Sequence, residues 1–220
     1  MDEIYYRHVR REIDWLLPRS ARRILDVGAG VGATSAWLKS RYPGSYTIAL
    51  EGNASIRDEL CRNVDEALIV DLNGPIPEIG SLDLVLCLDV LEHLTQPLDV
   101  LRRVTSMLAD GGTVIISLPN VAHASVSLPL LLRGRFEYRD AGILDRTHLR
   151  FFDRVSAVAL MNQAGFIVHR GVRNGFDGPR TRLIDKVTGG ALRDHLTKQY
   201  ILAGTRKEGG RQKAIEWSIN

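Results

Sequence analysis

The sequence of 220 residues predicts an α/β fold built on a doubly wound, mostly parallel sheet. Short apolar runs that are rich in β-branched residues alternate with segments of helical spacing, which is the pattern of repeated strand–helix units. The first run leads directly into a glycine-rich turn, and acidic residues stand at the ends of four successive runs. The expected strands cover residues 24–27, 46–50, 67–70, 82–88 and 113–118, and the expected helices cover 3–17, 34–40, 54–63, 98–109 and 153–164.

The composition is typical of one soluble globular domain, with 45% hydrophobic and 25% charged residues. We expect a single domain over residues 1–207, with an insertion at 121–152, and a polar, mobile tail at 208–220. The sequence has no apolar run of membrane-spanning length, and its net charge of +3 is spread over scattered arginines. Cys61 and Cys87 are too few for a disulfide framework or a zinc site. We therefore expect a cytoplasmic protein without a membrane or nucleic-acid partner.

The glycine-rich turn, residues 26–32, reads Asp-Val-Gly-Ala-Gly-Val-Gly. Glycine lets the backbone take positive φ and approach a ligand closely, and the N–H groups of the following helix face any anionic group there. Gly28, Gly30 and Ala33 also satisfy the fingerprint of dinucleotide-binding folds. Asp26 argues against a dinucleotide, because its carboxylate stands where a pyrophosphate would lie. The ammonium group of S-adenosylmethionine, by contrast, favours a nearby carboxylate.

The segment 26–32 resembles the first motif of the class I S-adenosylmethionine-dependent methyltransferases. The acid-x-x-Glu-His stretch at 89–93 is similar to one that commonly follows the fourth strand in this family. The resemblance implies S-adenosylmethionine as the cofactor and S-adenosylhomocysteine as its product. It also implies that the runs at 166–172 and 199–205 form an antiparallel hairpin, which makes a seven-stranded sheet of the Rossmann-like methyltransferase fold.

The ends of the predicted strands supply the candidate cofactor site, because ligands of such sheets bind beyond the carboxyl ends of the strands. A carboxylate at Glu51 can accept both ribose hydroxyls at once. The resemblance further implies that Asp71 meets the adenine amino group, that the backbone of Leu72 meets the ring, and that Asp89 lies near the methionine portion. The expected cofactor-binding residues are Asp26, Gly28, Ala29, Gly30, Gly32, Glu51, Gly52, Asp71, Leu72 and Asp89.

The insertion at 121–152 follows the fifth strand, where a minimal fold needs only a short link. Since it begins at the carboxyl end of a strand, we expect it to form a lid over the active site that supplies substrate contacts. Its segment 145–152, Asp-Arg-Thr-His-Leu-Arg-Phe-Phe, resembles a stretch in a broad group of bacterial small-molecule methyltransferases.

Histidines near the strand ends are the candidates for removing a proton from a methyl acceptor, because their ordinary pKa lies near neutrality. His148, with Asp145 nearby in the sequence, is the first choice, His93 is the second, and His123 lacks an orienting acid. No cluster has convincing metal-ligand spacing, so we expect no metal, although the stretch 89–93 leaves a metal-dependent mechanism open.

The predicted function is S-adenosylmethionine-dependent methylation of a small organic acceptor, at oxygen or nitrogen. Two alternatives remain at this point. One is an NAD(P)-dependent oxidoreductase, and the other is a non-catalytic accessory protein with the methyltransferase fold. The sequence does not indicate the oligomeric state.

Overall fold

The computed structural model describes residues 7–176, 178–207 and 214–219, which form eight strands in one sheet. The strands are β1 (Arg23–Val27), β2 (Tyr46–Glu51), β3 (Glu66–Ile69), β4 (Leu82–Leu88), β5 (Leu108–Pro119), β6 (Phe166–Asn174), β7 (Gln199–Arg206) and β8 (Glu216–Ile219). Their order across the sheet is β3-β2-β1-β4-β5-β7-β6-β8. β1 to β5 run parallel, and β7 lies antiparallel between β5 and β6. The expected α/β class, the parallel half of the sheet and the antiparallel hairpin are confirmed.

The expectation of seven strands is wrong, because β8 adds an eighth strand that pairs in parallel with β6. Trp217 of β8 packs over Gly171, where a Cβ would lie 2.5 Å from the indole ring. The guanidinium of Arg173 stacks on the same ring, 4.2 Å from its centroid. Residues 216–219 of the expected mobile tail are therefore part of the sheet, and residues 208–213 and 220 lie outside the described residues.

Helices cover both faces of the sheet. The α-helices are α1 (Ala33–Arg41), α2 (Arg57–Asn63), α3 (Pro97–Met107), α4 (Ala124–Arg133), α5 (Arg154–Gln163), α6 (Pro179–Val187) and α7 (Arg193–Leu196), and 3₁₀ helices occur at Arg11–Leu16, Ala54–Ile56 and Leu91–His93. In the part of the chain that the structure describes, no helix has the length and apolar character needed to cross a membrane.

Three helices differ from the sequence prediction. The leading helix expected at 3–17 is a 3₁₀ helix over Arg11–Leu16 in its described part. Helix α3 ends at Met107, and β5 begins at once because Leu108 pairs with Leu82 ahead of a bulge in the β4–β5 ladder. Helix α4 lies inside the insertion and was not expected. It begins where the His123 side chain accepts the N–H of Ser125, and it ends at Gly134 in a left-handed conformation.

The alternation of side chains along β1 divides the core between the two faces of the sheet. Leu25 and Val27 belong to the cluster that includes buried residues of α3 and α5. Ile24 belongs to a second cluster with Leu38 of α1 and Leu16 of the first 3₁₀ helix. The first 3₁₀ helix therefore packs on the same face as α1, and this packing brings the preceding residues to the carboxyl edge of β1 and β4.

Candidate active site

The turn after β1 is held in place from both sides. Gly28 takes φ +73° and its N–H donates to the Leu50 carbonyl over 2.8 Å. A Cβ on Gly28 would lie 2.6 Å from the Val90 side chain, so only glycine fits there. Glu51 accepts the N–H of Gly30 on Oε2 over 2.9 Å and the N–H of Asn53 on Oε1 over 2.8 Å. The end of β2 is thus fastened to the turn, and each carboxylate oxygen keeps a second lone pair for a ligand.

A cavity of about 660 Å³ lies beyond the carboxyl ends of β1, β2 and β4. Its lining includes every expected cofactor-binding residue except Gly32: Asp26, Gly28, Ala29, Gly30, Glu51, Gly52, Asp71, Leu72 and Asp89. Gly32 instead begins α1, where a Cβ would lie 3.0 Å from Leu60 of α2. The structure thus places Gly32 at the packing between α1 and α2.

The electrostatics of this first cavity are set by acids at different depths. Asp26 is buried and accepts the hydroxyl of Ser35 over 2.7 Å. Burial raises the pKa of Asp26 to about 6, the Ser35 hydrogen bond opposes this rise, and the charge of Glu51 adds to it. An ammonium group beside Asp26 would stabilise its ionised form, whereas a phosphate group would be repelled. The cavity therefore fits a ligand with a cationic end and hydroxyls better than it fits a pyrophosphate.

Asp89 connects segments that are distant in the sequence, at the mouth of this cavity. It takes φ +52°, an unusual conformation for a residue with a side chain, and its Oδ1 accepts the Ser117 hydroxyl over 2.7 Å. Its Oδ2 forms an ion pair with Arg10, and Gln199 donates its Nε2 to Oδ1 over 2.5 Å. Arg10 also donates to Gln199 Oε1 over 3.0 Å and pairs with Glu12. The segment before the first 3₁₀ helix is therefore fastened over the cavity.

A second cavity of about 430 Å³ adjoins the first. One wall comes from the insertion, between Asp140 and His148, and another comes from Gly175 and Lys198 beside β6 and β7. The residues that line both cavities are Asp89, His93, Asn174 and Gln199. A ligand in the first cavity and one in the second would therefore meet at these four side chains.

The expected catalytic residues His148, His93 and Asp145 all line this second cavity. The rings of His93 and His148 meet edge to face, with centroids 4.8 Å apart. Nδ1 of His93 lies 3.2 Å from the Thr147 carbonyl, and Nδ1 of His148 lies 3.0 Å from the Ile143 carbonyl. Because a carbonyl can only accept, both rings carry their proton on Nδ1 when neutral and present Nε2 as an acceptor.

Asp145 and His123 have structural contacts. Partial burial raises the pKa of Asp145, but hydrogen bonds from the Thr147 hydroxyl and N–H, at 2.6 and 2.8 Å, outweigh it and keep the pKa below the usual value. His123 caps α4 and is not among the residues that line either cavity.

Burial lowers the pKa of His93, with a further lowering from His148, so His93 is neutral at pH 7.

Glu92 is the most informative residue that the sequence reasoning left without a role. The residue is only 1% exposed, and neither carboxylate oxygen has a hydrogen-bond partner among the described residues. Burial, and then the charge of Asp89, raise its pKa well above the usual range. Its backbone carbonyl accepts the N–H groups of Leu149 and Arg150 over 2.8 and 3.0 Å, which ties the insertion to the end of β4. The sequence does mark Glu92 as a candidate site residue, because it directly precedes His93 in the acid-x-x-Glu-His stretch at 89–93.

Fold and site together define a class of protein. A parallel sheet whose strand order reverses between β1 and β4 binds nucleotide-containing cofactors in the crevice at that point, where the first cavity lies. The chain belongs to the methyltransferase domain family, whose model matches residues 1–170. It has the fold of the class I methyltransferases, as the sequence motifs predict. An NAD(P)-dependent oxidoreductase is not supported.

Curated relatives are ubiquinone biosynthesis O-methyltransferases. The protein from Marinobacter nauticus is 28% identical over 145 residues, which are 58% of this chain and 60% of the relative. The protein from Xanthomonas campestris pv. campestris is 26% identical over 173 residues, which are 70% of this chain and 71% of the relative. The aligned part of this chain therefore spans less than two thirds of the length of the Marinobacter relative.

Solved structures share the fold at low sequence identity. An S-adenosylmethionine-dependent methyltransferase from Mesorhizobium loti superposes with a TM-score of 0.62, at 16% identity, over 89% of this chain and 96% of that chain. The [4+2]-cyclase SpnF superposes with a TM-score of 0.61, at 15% identity, over 90% of this chain and 81% of that chain. Because a cyclase has the same architecture, the fold alone does not determine the reaction, and the residues of the site must decide it.

Proposed function

We propose that this chain is an S-adenosylmethionine-dependent O-methyltransferase that acts on a small organic acceptor. The observation that carries the proposal is the pair of adjoining cavities, which share the side chains Asp89, His93, Asn174 and Gln199. The first cavity suits the cofactor, and the second, at about 430 Å³, is large enough for one small organic molecule. Oxygen is the proposed nucleophile because the curated relatives are O-methyltransferases.

The first cavity has polar groups that suit the cofactor. Asp26 would face the ammonium group of the methionine end, Glu51 would accept the ribose hydroxyls, and Asp71 with the Leu72 backbone would hold the adenine ring. Gly28 and its neighbours keep the turn free of side chains, so the backbone can lie against the ligand. When bound, S-adenosylmethionine supplies an activated methyl group to the acceptor and leaves as S-adenosylhomocysteine.

The protein's own contribution is to hold the acceptor and to receive its proton. Methyl transfer from a good leaving group gains most from alignment, which the shared wall of the two cavities would provide. An acceptor hydroxyl must lose its proton, and Nε2 of His148 is the proposed acceptor for it, with Nε2 of His93 as the second candidate. Asp145 keeps the insertion in shape through its hydrogen bonds to Thr147.

The insertion at 121–152 remains our proposed lid. Its segment from Asp140 to His148 walls the second cavity, and bound cofactor would be enclosed further if this segment closed over it. Its aromatic residues Phe136, Tyr138 and Phe151 pack edge to face or tilted, with ring centroids 5.5 to 6.1 Å apart. This aromatic cluster packs parts of the insertion together, although its three rings are not among the residues that line either cavity.

Calorimetry and isotope transfer test the proposal. Purified chain should bind S-adenosylhomocysteine and show no measurable affinity for NAD or NADP. Incubation with methyl-labelled S-adenosylmethionine and a panel of phenols, catechols and amines should transfer label to an oxygen acceptor, as read by mass spectrometry. Binding of NAD without S-adenosylhomocysteine would overturn the cofactor assignment. Cofactor binding with no transfer to any member of the panel would favour the accessory protein, and label on amines alone would overturn O-methylation.

A further inference from the structure

Three acceptor groups converge on the wall of the second cavity, and they come from two distant parts of the chain. Glu92, His93 and His148 each offer one ligand-type atom, and these atoms all lie within 4.8 Å of one another. All three residues line the cavity. We propose that they bind a divalent transition-metal ion.

The histidine orientation is the first support. The Nδ1–H groups of His93 and His148 are both committed to backbone carbonyls, so each ring presents a lone pair on Nε2. A hydrogen bond from the other ring nitrogen to a carbonyl is the usual way in which proteins orient histidines that bind metals.

The buried carboxylate is the second and independent support. Both carboxylate oxygens of Glu92 lack a hydrogen-bond donor among the described residues, although the residue is only 1% exposed. A buried carboxylate without a partner is costly, and a cation at this place would remove that cost. The charged groups that face it are Asp89, which adds negative charge, and Arg10, which is paired with Asp89 and Glu12. The surroundings therefore favour a cation.

The donor set indicates which metal would bind. Two imidazoles with one carboxylate suit zinc, iron(II) or manganese, whereas magnesium and calcium favour sites made of oxygen atoms. Sequence spacing did not predict this site, because His148 reaches His93 only through the fold of the insertion. On the proposed function, an acceptor oxygen bound to this ion would lose its proton to water more readily, since a bound cation lowers the pKa of a hydroxyl. Nε2 of His148 and of His93 would then be metal ligands, and proton loss to water would replace the proton transfer to histidine proposed above.

Direct metal binding tests the inference without any activity measurement. The chain, stripped with a chelator, is titrated with zinc chloride and with manganese chloride by calorimetry. Cobalt(II) serves as a spectroscopic probe of imidazole coordination. We expect one equivalent per chain, and we expect Glu92→Gln and His148→Ala each to weaken binding more than about 100-fold, because the loss of outer-shell partners alone costs 10–100-fold. His169→Ala, which alters a half-buried histidine on β6, should bind like the unaltered chain.

Two results would overturn the inference. One is that the unaltered chain binds less than half an equivalent of each of the metals tested. The other is unchanged affinity in Glu92→Gln, provided that circular dichroism shows a native fold. S-adenosylhomocysteine affinity is measured on the same samples. If the cofactor product binds and the metal does not, the metal site is wrong while the proposed function stands, and the reverse result refutes the cofactor assignment alone.

Discussion

Replacement of Glu51 by alanine tests the cofactor site most directly. Both carboxylate oxygens are held by backbone N–H groups of Gly30 and Asn53, so the side chain is already in place for a ligand. Each charge-assisted hydrogen bond from Glu51 to a ribose hydroxyl should contribute about 1.5–3 kcal/mol to binding. Water would take the place of the missing carboxylate and recover part of the two bonds, so the net loss of binding free energy should be about 2–4 kcal/mol. The dissociation constant for S-adenosylhomocysteine should therefore rise about 30- to 800-fold in calorimetric titrations.

The same change should also cost stability, because the N–H of Gly30 loses its partner. A buried unpaired donor costs about 1–3 kcal/mol, which denaturant titration can resolve. Glu51→Gln keeps the volume of the side chain and one acceptor oxygen, so its affinity for S-adenosylhomocysteine should lie between those of the unaltered chain and Glu51→Ala. Glu78→Ala is the matched control, since Glu78 is 65% exposed and pairs with Arg103. If a folded Glu51→Ala chain binds within threefold of the unaltered chain, Glu51 does not contact the ribose.

Three further changes test other parts of the site. Affinity for S-adenosylhomocysteine should rise about ten-fold between pH 5 and pH 7, because the pKa of Asp26 is about 6 and only its ionised form attracts the ammonium group of the ligand. Calorimetric titration of Asp26→Asn at both pH values should show no such dependence. The stability of the ligand-free protein should change with pH in the opposite direction. The contribution of Asp26 to the free energy of unfolding is complete below the pKa that it has in the unfolded chain, and it is lost as the pH rises through 6, the pKa in the folded protein. Gly28→Ala should lower the free energy of unfolding by about 1–3 kcal/mol more than Gly44→Ala in urea titrations, because both positions have positive φ but a Cβ at Gly44 would have nothing within 4 Å. His148→Ala should lower kcat about 10²- to 10⁴-fold in steady-state assays and leave cofactor affinity nearly unchanged, and an equal loss of both would make His148 a structural residue.

Much of the parallel half of the fold was readable because buried parallel strands are continuously apolar. The run that forms β4 and the turn at Gly28 are examples. The acids Asp26, Glu51 and Asp71 could be placed together from the sequence alone, since the carboxyl ends of parallel strands meet at one edge of the sheet.

Other features have no local signal in the sequence. The four-residue strand β8 depends on Trp217 finding the space above Gly171, which is a tertiary contact. Gln199 reaches Asp89 only through the register of the antiparallel hairpin with its neighbours. The convergence of Glu92 with His148 likewise depends on how the insertion folds back, so the spacing of these residues could not show it.

The contact between Arg10 and Gln199 has a consequence for how the protein becomes competent during synthesis. These residues are separated by 189 positions, yet both hold Asp89 at the mouth of the cofactor cavity. The ribosome makes the glycine turn and the acids of β1 to β4 first, and Gln199 follows Asp89 by 110 positions. A nascent chain can therefore assemble the parallel sheet well before its cavity is complete. Ligand binding by stalled chains of increasing length should appear only once β7 has left the exit tunnel.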